Sequence, residues 1–117
     1  MKKQIRLSNG KTVNINANLT AMTLFKLEKE EVIDKSFLSS LFSTGGIQNI
    51  DLLDTFRTVY AAYRQANPIE FMPFEAFMEL YEVDMSESVE IFGAIMKKER
   101  KNNMAKGFNH KSRGKKA

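Results

Sequence analysis

No cysteine occurs anywhere in this sequence, which excludes a disulfide framework, a thiolate nucleophile and a zinc–cysteine site. That fits a reducing cytoplasm. No run approaches the roughly eighteen apolar residues that a membrane-crossing helix needs, and the opening MKKQIRLSNG lacks the apolar core of a signal peptide. Histidine occurs once, as His110, in a polar C-terminal stretch with no rigid partner to hold it at hydrogen-bond distance. Glycine-rich dinucleotide fingerprints, phosphate-cradling loops, HExxH and acidic calcium loops are all missing. Asp51 and Asp54 suit the first turn of a helix, where carboxylates meet unpaired N–H groups. Glu75, Glu79 and Glu82 recur on one solvated helix face. No catalytic residue, cofactor or metal is therefore expected, and the chain reads as non-enzymatic.

What is present is a helical pattern. In 49–67, NIDLLDTFRTVYAAYRQAN, Leu52, Leu53, Phe56, Val59, Tyr60 and Tyr63 fall on one face of a 3.6-residue period. Asp51, Asp54, Arg57, Thr58, Arg64 and Gln65 fall on the other. Asn49 or Asp51 is placed to cap the start, and Pro68 ends the helix at Asn67. This stretch is the expected centre of the fold. At 117 residues the chain suits one domain.

Before it, Lys3–Ile15 alternates as a β-hairpin. A two-residue Asn9-Gly10 turn would set Val13 and Ile15 on the opposite face from Ile5 and Leu7. A three-residue Ser8-Asn9-Gly10 loop with a left-handed Gly10 pairs Ile5 with Val13 and keeps the four apolar residues together, so it is preferred. Thr20–Glu31 predicts a first helix with Ala21, Met22, Leu24, Phe25 and Leu27 apolar. Ser36–Phe42 predicts a short second one, ended by a flexible Ser43-Thr44-Gly45-Gly46 break. Pro68–Met72 should be extended, and Pro73 suits the first position of a helix bearing Phe74, Phe77, Met78 and Tyr81. Asp84 and Glu87 have capping-box spacing ahead of a last helix, about Ser86–Lys101, with Val89, Ile91, Phe92, Ile95 and Met96. The expected class is α+β, mainly α: an N-terminal hairpin packed on four to five helices over 1–101, then a flexible basic tail over 102–117.

The net charge of +4 is unevenly placed. Lys97–Ala117 holds nine of the 18 Lys and Arg against one acid, Glu99, a local balance of +8 that leaves −4 on the rest. Lys97, Lys98, Arg100, Lys101, Lys106, Lys111, Arg113, Lys115 and Lys116 are able to neutralise phosphates, although the single aromatic Phe108 offers little stacking. Nucleic-acid binding through this tail is the alternative reading. The other signal is apolar: nine Phe, seven Met and three Tyr exceed the evident needs of one small core. Phe37, Leu38, Leu41 and Phe42, followed by Phe71, Met72 and Phe74, are the expected client or self-association surface.

The order of elements, with the pieces VYAAYRQANP and FEAFMELYE, resembles the tail assembly chaperones of long-tailed bacteriophages and prophages of low-GC Gram-positive bacteria. The likeness spans most of Lys3–Lys101. It implies a non-enzymatic protein of the infected host cytoplasm, absent from the mature virion. Such a protein self-associates as a homo-oligomer, coats the tape measure protein and delivers it to tail-tube protein. It further implies a longer frameshifted form; Gly114-Lys115-Lys116 is codable by a slippery run.

Overall fold

The computed structural model describes residues 1–42 and 52–97, with the side chains of 40–42 outside that description. The Ser43–Gly46 break, the Asn49 and Asp51 caps, the side chains of Leu41 and Phe42, and the basic tail beyond Lys97 lie outside the described residues.

Strands β1 (Lys2–Arg6) and β2 (Thr12–Asn16) pair antiparallel with Ile5 opposite Val13 and Lys3 opposite Ile15. This is the three-residue-loop register. Leu7 N–H donates to Lys11 O at 2.8 Å, Gly10 N–H to Leu7 O at 2.9 Å, and Gly10 takes φ 87°, a conformation that costs glycine little because it has no Cβ. Ile5, Leu7 and Ile15 are buried, with Val13 packed beside them.

Five helices follow among the described residues: α1 (Ala21–Lys29), α2 (Lys35–Phe42), α3 (Leu52–Ala66), α4 (Phe74–Leu80) and α5 (85–97). The chain is thus a mainly helical α+β domain with an N-terminal hairpin packed on helices. Asp34 starts α2 by accepting from Phe37 N–H at 2.8 Å. Pro73 sits at the N-cap of α4, one residue ahead of the expected first helical position. Asp84 caps α5 by accepting from Glu87 N–H at 3.0 Å. The other half of the expected capping box is replaced, since Glu87 Oε1 takes the Tyr81 hydroxyl at 3.3 Å.

Helix α3 is the centre of the fold, but it is buried on more than the one apolar face its periodicity marks. Thr58, Val59, Tyr60, Ala61, Ala62, Tyr63 and Arg64 are all buried. β2 lies along one side, while α1 and α4 pack on others, so Thr58 and Arg64, expected on a solvated face, are interior. Conversely, Leu52 and Leu53 at its first turn are exposed. Gln65, also expected outside, ties α3 to α1: its Oε1 accepts from Thr20 N–H at 2.9 Å and from the Thr23 hydroxyl at 2.6 Å. Asn67 closes α3 by donating from Nδ2 to Tyr63 O at 2.8 Å and Asn14 O at 3.0 Å.

An aromatic column runs from α3 to α4. Tyr63 stacks on Phe77 at 4.7 Å, Phe77 on Tyr81 at 6.0 Å, and Tyr60 meets Phe74 and Phe77 edge-on at 5.2 and 5.4 Å. Such pairs add about 0.5–1.5 kcal/mol each beyond area burial. Much of the surplus aromatic content is spent here.

Candidate functional site

Among the described residues, exposed apolar side chains lie at the first turn of α3 (Leu52, Leu53), around the start of α5 (Val83, Met85, Val89) and at two further features. The first lies between α1 and α2. Thr20 caps α1 through its hydroxyl, which accepts from Thr23 N–H at 3.3 Å. The helix closes with Glu31 in the left-handed region at φ 65°. Val32 N–H then donates back to Leu27 O at 2.9 Å and Glu31 N–H to Glu28 O at 3.0 Å, the paired bonds of a Schellman end. That reversal sends Val32 and Ile33 into the core and lays α2 beside α1. Between them Ala21, Leu24, Phe25, Glu28, Lys35 and Leu38 line an open groove of about 460 Å³. Its wall is apolar, with one carboxylate and one ammonium as the charged members. Phe25 is 70% exposed at its lip, and Met22 on the same helix is also exposed.

The second feature is the connection between α3 and α4, residues 67–73. Tyr63 Oη accepts from Met72 N–H at 2.8 Å and the Tyr60 hydroxyl donates to Met72 O at 2.8 Å. Arg64 lies beneath the connection, its guanidinium 3.5 Å from the centroid of the Phe71 ring. Its nitrogens grip Glu30 at 2.6 and 2.9 Å, and one also donates to Tyr60 Oη at 3.3 Å. The bidentate bond from Arg64 holds the Glu30 carboxyl below its ordinary range, and the same bond raises Arg64. Burial pushes the Tyr60 hydroxyl up. The strap is therefore pinned at its main chain and through Phe71. At its tip Ile69 is 88% exposed.

These placements revise the expected surface. Phe37 is 3% exposed and belongs to the core, so it lines no docking face; the reversal at Glu31 turns it inward. Leu38, its neighbour, lines the groove. Met72 and Phe74 are partly buried against the core, Met72 fixed by the tyrosines and Phe74 edge-on to Tyr60. Phe71 stays partly open but is engaged by Arg64. Sequence reasoning placed Phe25 and Met22 on the apolar side of α1 without marking them as surface, and it passed over Ile69. Ile69 sits between Pro68 and Glu70, off any periodic face, and that was the available signal.

Of the basic residues Lys97 is described and exposed, and the rest of the tail lies outside the described residues. No cluster of three or more metal-ligating side chains occurs among the described residues, and none of their helices is long and apolar enough to cross a membrane. No family model matches the chain, and no curated protein or solved structure does.

Proposed function

We propose that this protein is a non-enzymatic tail assembly chaperone that covers apolar helix faces of a tape measure protein with the α1–α2 groove. The observation carrying this reading is Phe25, 70% exposed at the lip of an apolar groove in a domain whose core is otherwise closed by aromatic stacking. A groove walled by Leu24, Phe25 and Leu38 suits an amphipathic helix presenting anchors at i, i+3 and i+4. The resemblance supplies the client, the host cytoplasm as the place of action, absence from the finished particle, and the delivery to tail-tube protein through a longer form.

Co-expression with a tape measure protein of a long-tailed phage tests the reading. The tape measure protein should stay soluble with the native chain and precipitate with Phe25→Glu. Equal solubility with and without the native chain removes the proposal.

The +8 balance of Lys97–Ala117 supports the second reading, a nucleic-acid-binding protein. Deleting Asn102–Ala117 should then abolish DNA or RNA binding, whereas the chaperone reading expects client binding to survive that deletion.

A further inference from the structure

We propose that the N-terminal hairpin is a β-ribbon that enters the major groove of double-stranded DNA and reads base edges with its solvent face. Side chains alternate sides along a strand, and Ile5, Leu7 and Ile15 are buried toward the helices. Lys2, Gln4 and Arg6 of β1 therefore point outward with Thr12, Asn14 and Asn16 of β2. The register sets them side by side, Lys2 with Asn16, Gln4 with Asn14 and Arg6 with Thr12. No apolar side chain interrupts this face, and all but the partly covered Asn16 are exposed.

These residue types are the ones that read base pairs. Arginine matches guanine O6 and N7, asparagine and glutamine match adenine N6 and N7, and threonine supplies a hydroxyl or a methyl. The side chains of Gln4, Arg6 and Asn14 form no hydrogen bond or ion pair among the described residues. Asn14 is anchored instead through its main-chain oxygen, which accepts from Asn67 Nδ2 at 3.0 Å. An acidic protein partner would account for the cations of this face and not for its amides.

Charge and size fit the same occupant. Residues 1–20 hold Lys2, Lys3, Arg6 and Lys11 and no acid, whereas 21–96 hold thirteen acids against five cations. Lys11 stands in the exposed turn at one end of the ribbon. At the other end, beside the close of α3, Lys2, Lys3, Gln4, Asn16 and Gln65 border a hollow of about 450 Å³ without a carboxylate. Cations at both ends suit the phosphates that flank a groove, the contacts that fix register. Lys3 also neutralises Glu90 of α5 at 3.2 Å. Paired strands lie about 4.8 Å apart, and a two-stranded ribbon fits a groove about 12 Å wide. Each strand has five residues, about 17 Å of ribbon, or about five base pairs at 3.4 Å each. The ribbon is separate from both functions proposed above, since the client reading uses the α1–α2 groove and the tail reading uses Lys97–Ala117.

Selection of the full chain on a random duplex DNA library, then fluorescence anisotropy of the selected duplex against a scrambled one, tests the ribbon. The native chain should enrich a motif of about four to five base pairs and prefer it by at least about tenfold. Arg6→Ala and Gln4→Ala should each lower that preference by at least about fivefold, the loss of one base-reading contact. Both side chains are exposed, so near-UV circular dichroism should be unchanged. Glutamine in place of Lys106, Lys111, Arg113, Lys115 and Lys116 should weaken binding to both duplexes alike and leave the preference intact. A native chain that enriches no motif overturns the proposal and leaves the other two readings standing. So does a preference that survives both hairpin variants or vanishes with the tail substitutions. Equal binding to an RNA duplex of the same sequence overturns it too, because the deep, narrow major groove of RNA admits no ribbon.

Discussion

Arg64 and Glu30, 34 positions apart, meet in a two-pronged ion pair at 2.6 and 2.9 Å, with the guanidinium 5% exposed and the carboxylate open to solvent on one side. The pair joins the end of α1 to the last turn of α3 and, through Tyr60 and Phe71, to the strap before α4. It explains why an acid is kept at a helix C-terminus, where the helix dipole disfavours it.

Arg64→Ala should destabilise the domain by about 3 kcal/mol, since it deletes at once the two-pronged bond to Glu30, the bond to Tyr60 and the contact with the Phe71 ring, and leaves a buried site unfilled. Glu30→Gln should cost about 1 kcal/mol, because Glu30 is partly solvated and the amide still accepts one bond. Urea unfolding of both single variants and the double variant gives the coupling. A near-zero coupling would mean that packing, not the pair, sets the effect.

Replacing Glu31 with glycine should stabilise the chain by about 1 kcal/mol. Glu31 holds φ 65° at the end of α1, a region where a side chain is strained and glycine is not. Glu31→Val should shift the unfolding midpoint the other way. Equal midpoints for the two variants would contradict the assigned backbone geometry.

Tyr63→Phe leaves the Met72 N–H without its acceptor and should cost about 1–2 kcal/mol. Its distinguishing readout is local: hydrogen exchange at Met72 should accelerate far more than exchange in β1 and β2.

At alkaline pH the Tyr81 hydroxyl contributes a defined loss. Burial pushes it up to about 12, although its bond to Ser88 opposes the shift. A group whose folded pKa is raised binds its proton more tightly when folded, so its stability is complete below the ordinary tyrosine value of about 10 and is lost as pH climbs from there to about 12. The full loss, reached once pH passes about 12, is about 2.7 kcal/mol by the free energy of a two-unit shift. Denaturant titrations between those pH values should show it, and Tyr81→Phe should flatten that part of the profile.

Much of the architecture was legible because local periodicity is a local consequence of burial. The hairpin register follows from keeping Ile5, Leu7, Val13 and Ile15 on one face, and Asp84 reads as a cap from its spacing alone. Arg64 and Thr58 were misplaced for a physical reason: a helical wheel assumes one buried face, whereas α3 is covered from several sides. Nothing within a few residues of Arg64 signals that its partner is Glu30. Phe25 and Phe37 show the same limit, being alike in local pattern and opposite in exposure because the turn at Glu31 decides which faces inward. Ile69 belongs to no period at all, and its exposure depends on Tyr60 and Tyr63 holding Met72.

Hydrogen exchange of the full chain with and without a soluble apolar-helix fragment of a tape measure protein tests the proposed client groove most directly. Amides of residues 21–38 should gain protection, with little change in β1 and β2, and Phe25→Glu should erase the gain. Binding that protects other elements and leaves 21–38 unchanged would contradict the assignment of the client to the α1–α2 groove.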